Sequence, residues 1–307
     1  MTDVFNSLQP PDEDLAKHKK FSTTATSKMQ YFDDIIPFGE FECREALERE
    51  VKRHRYWKTK AVKKMNFDRI ETSTSIQYIL ESFTEARSTS EANEAANFAA
   101  MSEASCSMSG GGALSPWDFE VMPNQLFVDQ VRVFEMPGSI PPPGIGTHDL
   151  CYMCHGRGIK ECHHCKGGGK KPCTSCSGTG SVRNYTRIKV YFKNEKSEHY
   201  TECEIPEKLL FQAEGKRIFE EEQDYIIPIS KYPQEDVNNM SKLFCAQHLQ
   251  KCMGVCRVIR QRHYMNAIPI SKVHFSLGNE KGIFYVYGTQ KLCFFPNFPS
   301  KYIPATQ

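Results

Sequence analysis

The chain lacks most of the signatures that assign a function directly. It has no Walker loop, no G-x-S-x-G elbow, no H-E-x-x-H helix and no dinucleotide fingerprint. Those absences leave no constellation that would carry catalysis and no small-molecule substrate, so the chain is expected not to be an enzyme. No apolar run approaches the roughly 18 residues of a membrane-spanning helix, and no membrane partner is expected. A net charge of +2 over 307 residues gives no global pull toward nucleic acid or an anionic surface. The opening stretch, MTDVFNSLQPPDEDLAKHKK, puts acids and prolines where an export signal has an apolar core. The cysteines are therefore expected to be reduced thiols or metal ligands in the cytoplasm or nucleus, not a disulfide framework. Apolar and charged fractions of 39% and 25% are those of a globular chain able to bury a core.

Cysteine is what the chain does have, and it is unevenly placed. Six of the thirteen fall between 151 and 176, in three consecutive 11-residue units, CYMCHGRGIKE, CHHCKGGGKKP and CTSCSGTGSVR. Each begins C-x-x-C-x-G-x-G. The cysteines are Cys151/Cys154, Cys162/Cys165 and Cys173/Cys176, and the glycines are Gly156/Gly158, Gly167/Gly169 and Gly178/Gly180. A fixed period marks repeated supersecondary units.

The spacing has a chemical reason. Two thiolates separated by two residues can reach one Zn²⁺ at ~2.3 Å if the chain turns tightly after them. Glycine permits that turn, because positive φ carries no Cβ penalty there. One unit supplies two ligands, so a closed Cys₄ site takes two units. The segment has few apolar residues, and about thirty residues without a core do not fold unaided. Metal binding then supplies the folding energy, on the order of 10 kcal/mol. CYMCH also fits a haem-attachment motif. His155, however, occupies a slot filled by Lys166 and Ser177 in the other units, which makes it a surface residue rather than an axial ligand.

The tandem C-x-x-C-x-G-x-G units resemble the cysteine-rich zinc domain of DnaJ-type (heat-shock protein forty) co-chaperones. With SPWDFEV at 115–121, CHGRG at 154–158, IPISKVHF at 268–275 and FYVYGT at 284–289, the chain is similar to the ssu-two homologue family over roughly residues 40–305. The resemblance implies a non-enzymatic protein with a DnaJ-like zinc module between two α+β segments. It also implies a chaperone-like or adaptor role, with an unfolded client or Hsp-type chaperone as partner. DnaJ-type domains carry four units on two zincs, and this chain has three. One zinc is complete, and a second would need help from His163 or His164 or from a second copy. The His-Pro-Asp tripeptide of a J-domain is absent, so stimulation of a partner ATPase is not carried over.

The flanks read as α+β. Residues 40–56 have helical spacing, and 74–86, 117–122, 129–136, 185–193 and 198–205 alternate as strands, the last two as a hairpin. Pro206 starts a helix that KLLFQAEGKRIFEEE would carry. Residues 235–261 read as helix, and three strands fall within 262–296. The expected organisation is a disordered tail (1–38), an N-terminal α+β segment (39–148) with a flexible loop (88–116), the zinc module (149–182) and a C-terminal α+β segment (183–307). The zinc units would form a projecting, inserted hairpin-type module.

Two features invite sharper readings. Cys245, His248, Cys252 and Cys256 share one helical face, where a buried stripe is favoured over metal ligation. Between 151 and 193, nine bases face one acid, Glu161. That patch keeps RNA binding as an alternative, although only Tyr152 and Tyr185 are near for stacking. A thiol–disulfide oxidoreductase using the leftover pair is the second alternative.

Overall fold

Long alternating stretches without glycine or proline set the architecture. Residues 66–95 contain neither, and they form one uninterrupted strand, β1 (Asn66–Ala95). The computed structural model describes residues 8–11, 36–55, 57, 59–95, 115–118, 120–135, 148–162, 164 and 168–298. Among these the chain is α+β and mostly β. The helices are α1 (Glu40–Arg53), α2 (Thr59–Lys64), α3 (Glu207–Leu210) and α4 (Glu235–Cys252). The remaining strands are β2 (Gln130–Glu135), β3 (His148–Leu150), β4 (Ile159–Glu161), β5 (Lys170–Pro172), β6 (Ser181–Tyr200), β7 (Lys216–Gln223), β8 (Arg257–Leu277), β9 (Glu280–Tyr287) and β10 (Leu292–Phe294). Hydrogen bonding runs in the order β10-β9-β8-β1-β6-β2, with β3 on β6 and β7 on β8, while β4 and β5 pair separately. No helix among the described residues is long and apolar enough to cross a membrane.

The chain divides into two compact units. Unit 1 holds Met1–Lys20, Phe83–Asn194 and Lys251–Ile259, and unit 2 holds the rest. In unit 2, α1 and α2 bury Leu47, Val51, Ala61 and Val62 against Phe275 of β8, Phe284 of β9 and Phe295 just after β10. Pro269 interrupts β8 without cost. The β7 ladder ends at Ala267 and the β9 ladder begins at Ile270, so the missing N–H falls between partners.

In unit 1 the core is Phe83 of β1, Ile188, Val190 and Phe192 of β6, and Val121 and Phe127 of the segment before β2. Beside it lies a buried ion cluster. Glu85 and Arg87 are both fully buried on β1, and the Arg87 guanidinium sits 2.5 Å from the Glu85 carboxylate. The Arg257 guanidinium reaches the other Glu85 oxygen at 2.6 Å. Arg87 also donates to the Pro116 carbonyl at 2.5 Å. The two guanidinium groups lie 4.8 and 5.4 Å from the Trp117 ring, which fixes the SPWD turn (115–118) on the sheet.

Several elements differ from the sequence reading. β1 runs to Ala95, through the first part of the stretch whose small polar residues suggest a loop from 88; residues 96–114 lie outside the described ones. Leu8 N donates to the Arg87 carbonyl at 2.7 Å and Pro10 is buried, so the expected tail touches the sheet there. The described residues of the expected strand 117–122, namely 117, 118 and 120–122, form a turn and extended chain, pinned by Arg87, not a strand; residue 119 lies outside the described ones. β6 is a single strand where a hairpin was expected. Gln77 of β1 donates to Glu198, and Thr201 N to the Ile76 carbonyl, which holds 194–200 extended. The helix after Pro206 stops at Leu210, because pairing with β8 buries Ile218 and Phe219 as strand residues. Helix α4 stops at Cys252, where Gly254 takes φ 71° and ends it, and residues 257–261 open β8.

The ion cluster generates a prediction. Glu85→Ala leaves the fully buried Arg87 guanidinium without its carboxylate and facing the half-buried Arg257, and is expected to lower stability by about 3–5 kcal/mol. Urea unfolding followed by tryptophan fluorescence measures this. A loss under about 1 kcal/mol, typical of a surface change, would show the arginines to be solvated.

Candidate metal centre

The first and third C-x-x-C units meet. Cys151, Cys154, Cys173 and Cys176 place their sulfurs within 4.8 Å of one another, and all four are buried. The two units share most of their backbone bonds. Cys151 N donates to the Gly180 carbonyl and Cys173 N to the Gly158 carbonyl, both at 2.8 Å. Within each unit, Gly156 N turns back to the Cys151 carbonyl and Gly178 N to the Cys173 carbonyl. Arg157 N and Thr179 N make the matching bonds to Cys154 and Cys176. The result is two knuckles related by a local two-fold axis.

Glycine is required at defined points of this arrangement. Gly158 and Gly180 adopt φ of 71° and 80°, and a Cβ on either would lie 2.2 or 2.3 Å from the facing backbone oxygen, Gly178 O or Gly156 O. Their amides point at sulfur, Gly158 N to Cys154 Sγ at 3.2 Å and Gly180 N to Cys176 Sγ at 3.3 Å. His155 and Ser177, at the same position of their units, also have positive φ, 50° and 47°, and the His155 side chain is exposed.

The sulfurs suit a tetrahedral ion. Cys151 Sγ–Cys173 Sγ and Cys154 Sγ–Cys176 Sγ are each 3.8 Å. Four thiolates at ~2.3 Å from a central tetrahedral ion stand about 3.8 Å apart. Burial acts to raise the thiols of Cys151, Cys173 and Cys176, but backbone N–H groups of Cys176 and Ser175 outweigh it at Cys173 and bring that thiol down to about 6. Gly180 and Gly178 N–H groups likewise lower Cys176. At Cys151 burial prevails and the thiol rises to about 11. The four cysteines can hold a metal ion, and nothing in their set offers an open ligand position for a substrate.

The other predicted residues are placed differently. Cys162 follows β4, and its N–H donates to the Gly169 carbonyl at 2.8 Å across the β4–β5 hairpin. It is not one of the four clustered cysteines. His164 is exposed; Cys165, His163 and Gly167 lie outside the described residues. Cys245, His248 and Cys252 are buried on α4, and His248 bonds the hydroxyls of Ser82 and Ser197 at 2.8 Å each. One contributor escaped the sequence reading. Thr179, the variable residue between Gly178 and Gly180, donates its hydroxyl to the Cys176 carbonyl at 2.7 Å. A polar residue between two required glycines was the available signal.

Two predictions follow from this geometry. Purified protein is expected to hold one tightly bound metal ion in the cluster; Cys173→Ser should lose it and Cys162→Ser should keep it, as read by elemental analysis with thiol counting. The reverse pattern would move the site to the second unit. Gly158→Ala or Gly180→Ala should release most of the metal to a chromogenic chelator under conditions where the parent retains it. Full retention would mean the facing carbonyls can yield.

No protein-family model matches the chain, and no solved structure does. Among curated proteins it is similar to "Protein SSUH2 homolog" of Homo sapiens, 28% identical over 123 residues, which is 39% of this chain and 32% of that protein. It is also similar to "Protein SSUH2 homolog" of Danio rerio, 26% identical over 254 residues, 72% of this chain and 69% of that protein. The chain thus matches about a third of the human relative's length and over two thirds of the zebrafish one. With 72% of its residues aligned to the latter, the chain is similar to the ssu-two (SSUH2) homologues over most of its length.

Proposed function

We propose that the chain is a non-enzymatic zinc protein of the cytoplasm or nucleus that binds polypeptide, as a chaperone-like factor or an adaptor. Its partners are extended or unfolded segments or an Hsp-type chaperone. The ion is Zn²⁺, for which an all-cysteine tetrahedral set is a common structural site. Its role is to fold an inserted hairpin-type module, since a Cys₄ site without an open position is built for structure and not for catalysis.

The observation that carries the polypeptide reading is the apolar surface around the metal centre. Leu150 is 70% exposed, Tyr152 81%, Met153 54% and Ile159 42%. A metal-folded segment with so little core to build has no internal use for such side chains. Exposed apolar residues grouped in this way mark contact surfaces for other proteins. The methionine is suited to varied partners, because an unbranched thioether repacks easily.

The test is a pulldown from lysate with the full chain and with a Tyr152→Ala/Met153→Ala double variant, both checked for one zinc per chain. The parent is expected to recover chaperones or unfolded clients, and the double variant to lose most of them while keeping its metal. Zinc chelation should have the same effect. Recovery of nothing but RNA by the parent, or an unchanged set of proteins with the double variant, would sink the reading.

A further inference from the structure

Strand β6, which leaves the metal centre, carries a surface that the adaptor reading does not use. On one side Ile188, Val190 and Phe192 are buried in the core of unit 1. The alternate residues Arg183, Tyr185, Arg187, Lys189, Tyr191 and Lys193 face the other way, half-buried or exposed. Cations and aromatic rings therefore stand along one line, about 7 Å between successive side chains. That spacing is comparable with the step between phosphates of an extended single strand.

The neighbouring strands keep this line accessible. On β2, Val133 stands opposite Lys189 and Val131 opposite Tyr191, and both valines are exposed. On the other side, Thr84 bonds the Lys193 carbonyl and Glu94 bonds Arg183, which fixes β1 alongside. Its alternate residues there, Ala86, Ser88, Ser90 and Ala92, are all small. A hollow of about 610 Å³ opens beside Tyr185, lined also by Glu91, Ala92, Asn93, Asn184 and Thr186.

The charges on this face are only partly compensated. Glu94 and Glu135 both bind Arg183, each at 2.6 Å. Glu135 stands opposite Arg187 in the β2–β6 register but forms its ion pair with Arg183, and no ion pair among the described residues engages Arg187, Lys189 or Lys193. Arg187 instead donates to the Tyr185 hydroxyl at 2.9 Å, and the guanidinium groups of Arg183 and Arg187 lie 4.8 and 5.7 Å from that ring.

We propose that this face of β6 binds single-stranded nucleic acid. Arg187, Lys189 and Lys193 take the phosphates, and bases stack on Tyr191 and on the Tyr185–arginine group. An acidic peptide would satisfy the cations and leave the rings without use. Every base offers a π-face, so alternating rings and cations suit a nucleic acid of any sequence. Single strands fit better than duplex, because stacking on tyrosine rings needs bases whose faces are not already covered by their neighbours.

The experiment is fluorescence anisotropy of the full chain with a labelled oligouridylate of about twelve nucleotides, a typical single-strand site size. The parent is expected to bind more tightly as salt falls. Lys189→Gln should weaken binding several-fold and reduce the slope of log affinity against log salt by about 0.7, the single-strand value for one phosphate contact. Tyr191→Ala should weaken binding about ten-fold with the slope unchanged, which separates stacking from charge. Both variants should keep one metal ion and the parent's melting temperature. Absence of binding at low salt would overturn the proposal. So would binding that both variants leave intact but Lys170→Gln/Lys171→Gln on the β4–β5 hairpin removes, or competition by polyglutamate at the same charge concentration.

Discussion

Two backbone hydrogen bonds, Cys151 N to Gly180 O and Cys173 N to Gly158 O, hold the metal centre in register. They bring two cysteine knuckles together so closely that no side chain fits at Gly158 or Gly180. Once the knuckles are apposed, the sulfurs stand at the separation that a tetrahedral ion imposes, and the glycine amides point at two of them. Without the ion, four buried thiols would have to share a small space with partial charge and little packing to offset it. With an ion bound, the metal, the glycines and the backbone bonds would form one cooperative unit, in which each part supplies a geometry that the others need.

Unit 1 shows a second constraint of the same kind, made from side chains. The Glu85 carboxylate is the common partner of Arg87 and Arg257, and Trp117 lies against both guanidinium groups. A buried ion group of this kind adds little net stability compared with apolar packing, but it strongly penalises the loss of any member. Its effect is to specify where the chain before β2 crosses the sheet.

How far the sequence foretold this depends on the kind of signal. The 11-residue period of cysteines and glycines was plain, because metal chemistry permits few spacings. Which two units would meet was not, since C-x-x-C-x-G-x-G is identical in all three and pairing is decided by contacts between residues 22 apart in the chain. Helix α1 was legible from Ala46, Leu47 and Val51. The end of α4 was readable in hindsight at Gly254, but its apolar spacing runs past that point. β6 and β7 were misjudged for a common reason: NEKSE and AEGKR are polar by local measure, while their extended form is dictated by partners on β1 and β8 that lie more than 40 residues away. The Glu85 cluster left no local trace, because its acid and bases look like ordinary surface charges until the strands align.

The chain enters the metal centre through β3 and leaves it through β6, and these two strands pair, with Leu150 opposite Ser181. The metal-bearing stretch is therefore a cassette on a closed stem. Its two ends already lie side by side, so its length can change without moving any strand of the sheet.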